Sequence, residues 1–126
     1  MPRRLKIFVD GGCQPNPGRI ELAVVLHGRV HFFDDLGSGA SEDAEWHALR
    51  LGLRLAMEAG ETHFELIGDN AHVIAQANGT AKCTGSALAH KQAFYGMAKS
   101  SPPARVRWIR RHQNLAGIAL ARRRGL

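Results

Sequence analysis

The stretch Ile7-Phe8-Val9-Asp10-Gly11-Gly12-Cys13-Gln14-Pro15-Asn16-Pro17-Gly18 decides how the rest of the chain is read. Leu5 to Val9 alternates and carries β-branched residues, which predicts a strand. Gly11 to Gly18 is dense in Gly, Pro and Asn and reads as a loop. Asp10 therefore stands at the end of a strand, with a loop of little side-chain bulk behind it. Outward from there, Glu21 to Leu26 and Val30 to Leu36 read as two more strands, joined by a tight turn at His27-Gly28-Arg29.

A helix follows. Ser41 is its expected N-cap, with Asp43, Ala44 and Glu45 in a first turn where carboxylates suit the helix dipole. Trp46, Leu49, Leu53, Ala56 and Met57 recur at helical spacing as far as Gly60. His63 to Ile67 is a short strand ending at Gly68-Asp69, and Ala71 to Ala77 a short helix stopped by Asn78-Gly79. Leu88, Phe94 and Met97 pattern the next helix, which Pro102-Pro103 terminates. Val106 to Ile109 is the fifth strand, and Asn114 caps a last helix containing Leu115, Ile118, Leu120 and Ala121. A strand meander followed by helix–strand alternation predicts an α/β fold, a mixed five-stranded sheet with helices packed on its faces. Strands linked through helices should run parallel.

The composition suits one domain over residues 1–126. Of its 126 residues 44% are apolar and 22% charged, enough for a core and unlike a disordered chain. No apolar run approaches the ~18 residues of a membrane span. The N-terminus makes a poor signal peptide, which puts the expected location in the cytoplasm. Cys13 and Cys83 have no metal-ligand spacing and read as two free thiols in a reducing compartment. The net charge of +6 is unevenly spread. Residues 1–69 hold seven Lys/Arg against eleven Asp/Glu, whereas residues 70–126 hold ten Lys/Arg and no acidic side chain. Such a basic half is the footprint expected of a polyanion-binding protein, although a solvated basic surface reads the same way.

Three acidic residues stand where chemistry would want them: Asp10 and Asp69 at strand ends, Glu45 in the first turns of a helix. In a mixed sheet, strand ends beside a topological switch point form the ligand crevice. Carboxylates converging there repel one another unless a cation compensates. A small set of hard oxygen ligands with open positions suits Mg²⁺. Two such ions can activate water and stabilise the leaving oxygen of a phosphoryl displacement.

The opening stretch resembles the first motif of the type 1 ribonuclease H family. Ala44-Glu45-Trp46-His47-Ala48-Leu49 resembles its second, and Gly68-Asp69-Asn70 with Val73 to Gly79 its third. Trp108-Ile109-Arg110-Arg111-His112-Gln113-Asn114 resembles the segment ahead of its fourth. The resemblance spans nearly the whole chain. It implies a ribonuclease H-like fold and a monomeric endonuclease cutting the RNA strand of RNA/DNA hybrids. It further implies two Mg²⁺ ions with substrate bound, Mn²⁺ being the alternative. Asp10 would bridge both metals, with Glu45 and Asp69 completing one site. Gly11, Gly12, Cys13, Asn16 and Ser41 would lie along the minor groove, where 2′-hydroxyls distinguish RNA from DNA. His112 would shuttle a proton near the scissile phosphate or help product leave.

The chain departs from the family pattern in three places. Arg19-Ile20-Glu21-Leu22 lacks the further glycines after Asn16-Pro17-Gly18, and Ser41-Glu42 replaces a pair of asparagines. The third departure concerns the family's fourth carboxylate, an Asp four residues after the Asn that opens the last helix. Here that count reaches Ile118, and no Asp or Glu follows Asp69. Only the terminal carboxylate of Leu126 remains, about eight residues of helix further on. Asn114 is then either a plain N-cap or, through its amide oxygen, a partial substitute in the metal and substrate site. Two alternatives stay open beside the active hybrid nuclease. One is a weak or inactive hybrid-binding module; the other is a different nuclease on the same fold.

Overall fold

The computed structural model describes residues 4–125. Met1 to Arg3 and Leu126, with its terminal carboxylate, lie outside the described residues. In chain order the strands are β1 (Leu5–Cys13), β2 (Gly18–Leu26), β3 (Arg29–Phe33), β4 (Ser38–Gly39), β5 (Phe64–Gly68) and β6 (Arg105–Trp108). The helices are α1 (Ser41–Glu58), α2 (Ala71–Ala77), α3 (Ser86–Ala98) and α4 (Leu115–Arg123), with a 3-10 turn at Arg111–Gln113 before α4.

β1 is the middle strand of a sheet ordered β3-β2-β1-β5-β6. β1, β2 and β3 form the expected antiparallel meander, whereas β5 and β6, reached through helices, pair parallel. The short β4 was not expected; it pairs with the start of β2 and lies off the main path. The sheet is thus the predicted five strands plus this two-residue sixth.

Side chains alternate across β1, and each set meets a different helix layer. Ile7 and Val9 enter the larger core with Trp46, Leu49 and Leu53 of α1. Phe8 faces the other way, against a smaller cluster of Ala23, Val25, Ala116 and Leu120 that seats α4. All five residues of β5 are buried, as a central parallel strand requires. Gly52 lets α1 lie close on the sheet, since a Cβ there would come within 2.7 Å of Val9 Cγ1.

Several boundaries differ from the sequence expectation. Gly11, Gly12 and Cys13 are not loop: they extend β1 and pair with Leu22, Glu21 and Ile20. The turn shrinks to residues 14–17, and β2 begins at Gly18 rather than Glu21. Glycine disfavours strands because it packs nothing. Here the partner is the backbone of α1 itself, and a Cβ on Gly11 would overlap the Ala44 carbonyl. β3 stops at Phe33 rather than Leu36. Ser41 is the first residue of α1, not its cap; the cap is Ala40, whose N–H donates to the Asp43 carboxylate at 3.0 Å. Leu88 is exposed on α3, and Phe94 carries that helix into the core. The hairpin turn holds as read, with positive φ at His27 and Gly28.

Candidate active site

Asp10 lies within β1, Asp69 directly after β5, and Glu45 in the second turn of α1. One carboxylate oxygen from each falls within 4.8 Å of the others. Local structure explains the convergence. β1 and β5 are parallel neighbours, so their C-terminal halves open on the same edge of the sheet. The bare Gly11 admits α1, and Glu45, the next residue after the Ala44 that Gly11 accommodates, arrives beside Asp10.

Asp69 is held from below. Asn114 is fully buried, and its Nδ2 donates both to the Val9 carbonyl and to Asp69 Oδ2, each at 2.9 Å. Its Oδ1 accepts the Ala116 N–H at 3.1 Å, which is the N-cap of α4. Of the two roles left open for Asn114, the cap is the one observed. Its amide oxygen accepts the α4 N–H, and it touches the triad through its amide nitrogen on Asp69. Trp108 Nε1 adds a bond to the Asp69 carbonyl at 3.0 Å.

The three carboxylates are electrostatically unhappy together. Burial pushes Asp10 from its ordinary 3.8 up to about 6; the charge of Asp69 adds to this, while Arg111 and Arg124 oppose it. Burial, then the adjacent Asp10, raises Glu45 well above its ordinary value. An all-oxygen set crowded this closely and short of solvent fits a hard divalent cation, which relieves the repulsion and favours open phosphate positions.

Asp10 and Glu45 form part of the lining of a cleft of about 390 Å³ that also includes Gly12, Cys13, Ser41, Asn70, Arg111, Gly117 and Arg124, while Asp69 borders it through its contact with Asp10. A neighbouring cleft is lined by Asn16, Ser41, Asp43, Trp46, Asn70 and Ser86. Asn16 and Ser41 are tied across the two, Asn16 Oδ1 accepting the Ser41 N–H at 3.0 Å. Cys13 is buried, and its thiol donates to the Gly39 carbonyl at 3.2 Å, so only its backbone edge is offered to the cleft. His112 is exposed on the 3-10 turn and is not among the residues lining the carboxylate cleft; its neighbour Arg111 is.

Counting along the chain puts the missing fourth carboxylate at Ile118, but in space another residue meets the triad. A Cβ on Gly117 would stand 3.3 Å from Asp10 Oδ2 and 3.5 Å from Asp69 Oδ2. Ile118 is half-buried and outside the cleft lining. Arg111, Gly117 and Arg124 were not singled out by the sequence. A local signal existed for Arg111, beside His112 in a basic run, but none marked Arg124.

The sequence pattern of the reverse transcriptase-like family matches residues 8–124. Among curated proteins none matches the sequence. Several solved structures share the fold. The N-terminal RNase H domain of Rv2228c from Mycobacterium tuberculosis has a TM-score of 0.79 at 24% identity, over 94% of this chain and 95% of that one. RNase H1 from the halophilic archaeon Halobacterium salinarum gives 0.80 at 22% identity, over 94% of each. LC11-RNase H1 in complex with RNA/DNA hybrid gives 0.74 at 25% identity, over 89% of each. With that pattern covering nearly its whole length, the chain belongs to the reverse transcriptase-like family, and it shares its fold with solved ribonuclease H domains.

Proposed function

We propose that this protein hydrolyses the RNA strand of RNA/DNA hybrids with the help of divalent metal. The observation that carries the reading is the triad itself: three carboxylates within 4.8 Å of one another, two of which line a cleft with two arginines. The chain is a ribonuclease H-type hydrolase, and a solved relative with this fold is complexed with such a hybrid.

Asp10, Glu45 and Asp69 would hold Mg²⁺ or Mn²⁺. The metal, when bound, supplies Lewis acidity toward water and charge for the leaving oxygen. The remaining work falls to the chain's own groups. Arg111 attracts the phosphodiester to the cleft, and Asn114 holds Asp69 beside Asp10 and Glu45. The backbone edge of Gly11, Gly12 and Cys13, with Asn16 and Ser41, lies where a minor groove would expose its 2′-hydroxyls to hydrogen bonds. His112, exposed one residue from Arg111, exchanges protons between site and solvent.

Incubating a labelled hybrid with Mg²⁺, Mn²⁺ or EDTA, beside duplex DNA and duplex RNA, tests the reading. Cleavage of only the RNA strand of the hybrid is expected, abolished by EDTA and by Asp10→Asn. Undiminished cutting by a folded Asp10→Asn protein would falsify it. One observation favours a second reading: among the described residues no fourth carboxylate joins the triad, which suits a module that binds hybrids without cutting them.

A further inference from the structure

The cleft is lined by a charged group with an unsatisfied hydrogen-bond donor. Arg124 follows the last turn of α4, and its side chain reaches β1, where Nη2 and Nη1 lie 3.5 and 3.7 Å from the point a Cβ on Gly12 would occupy. Its Nε donates to Glu21 Oε2 at 2.9 Å, and Glu21 is the residue paired with Gly12 across the β1–β2 ladder. The side chain is only 18% exposed. Its Nη2 is buried and finds no hydrogen-bond partner among the described residues.

A guanidinium offers five donors in a rigid fork, and leaving one buried without an acceptor is costly. Glu21 takes the Nε–H, and Arg124 lines the cleft with Asp10, Glu45 and Arg111. Gly117 and Ala121, two turns and one turn earlier on the same face of α4, are small and also line the cleft. The acceptor that fits is a tetrahedral oxyanion, which a guanidinium grips with two parallel bonds.

We propose that Arg124, held by Glu21 above Gly12, binds the phosphodiester that enters the carboxylate cleft. It supplies fixed positive charge beside Gly117, where among the described residues no fourth carboxylate joins the triad. This inference rests on the hybrid-nuclease reading for the identity of the strand, but not for the chemistry of the contact. A purely structural role, stapling the end of α4 to β2, is the competing explanation, and Glu21 separates the two. Loss of either partner removes the staple, whereas only loss of Arg124 removes a phosphate contact.

The experiment measures binding of labelled hybrid, duplex DNA and duplex RNA in EDTA across a salt series, with melting temperatures alongside. Compared are wild type, Arg124→Gln and Glu21→Gln, with Arg124→Met, which keeps the packing stem, used where the glutamine variant does not fold. Arg124→Gln should weaken binding roughly tenfold, the low end for a hydrogen bond to a charged group. It should also lower the slope of log affinity against log salt by about 0.9, the worth of one phosphate contact. Glu21→Gln should melt lower, as Arg124→Gln does, yet keep the wild-type slope. Equal slopes in all three proteins overturn the proposal and leave Arg124 as a staple. A wild type that does not prefer hybrid overturns the hybrid reading instead, since the Arg124 slope is still read on whichever duplex binds.

Discussion

In metal-free protein, replacing Asp10 by Asn should stabilise the fold while destroying the site. Asp10 is raised from 3.8 to about 6 by burial and by Asp69, so its ionisation at neutral pH opposes folding. That displacement is worth ~3 kcal/mol at 1.36 kcal/mol per pH unit. Asp10 is half-buried at an open cleft, and solvent screening reduces the figure to about 2 kcal/mol. For a chain this long, unfolding entropy near 2.1 cal/mol/K per residue turns about 2 kcal/mol into a rise of ~7 °C in Tm. The sign follows from linkage. The folded protein keeps the Asp10 proton to higher pH than the unfolded chain does, so the Asp10 contribution to stability is fully present below about pH 4 and is lost as pH rises to about 6. Asn has no such proton, and its amide can donate to Glu45. Melting both proteins in EDTA between pH 4 and 8 should show Asp10→Asn higher by ~7 °C at pH 7.5, with the gap closing toward pH 4. Adding Mg²⁺ should then raise the wild type by mass action and the variant far less. A variant that melts at or below wild type at pH 7.5, or a gap indifferent to pH, refutes the picture of carboxylates crowded without a counter-charge.

Gly117→Asp should lower the Mg²⁺ concentration needed for half-maximal cleavage, because its carboxylate would project at Asp10 and Asp69, while Ile118→Asp should leave that requirement unchanged. A metal titration of both variants checks this, and improvement only in Ile118→Asp would mean that α4 is rotated from the orientation described. Asn114→Ala strips the α4 cap and the donors to Val9 and Asp69 at once and should cost about 3 kcal/mol in denaturant unfolding, with cleavage lost beyond what stability explains. Gly11→Ala should cost roughly 1–3 kcal/mol, as overpacking does, and should reduce activity more than the distant Gly52→Ala at equal loss of stability, because it pushes Glu45 off Asp10. Equal activity in those two variants would show that the approach of α1 at Gly11 does not set the triad.

The order of strands and helices was legible in the sequence because each element carries its own period and its own breakers. Asp10, Glu45 and Asp69 were legible for the same reason, as each sits at an element end that local pattern marks. The two glycines after Asp10 were misread as loop because their value lies in a helix backbone that arrives from residue 44, which no local window contains. Which residue of α4 meets the triad was likewise beyond the sequence. Successive helical residues point about 100° apart, and the burial of Ala116 and Leu120 against Ala23 and Val25 turns Gly117, not Ile118, toward Asp10. The contacts that shape the site most join the ends of the chain: Asn114 to Val9 across 105 positions, and Arg124 to Glu21 across 103. Side-chain type and period determine what each segment becomes. Only the packing of α4 onto the far face of the sheet decided that an arginine beyond that helix would share a cleft with an aspartate from the first strand.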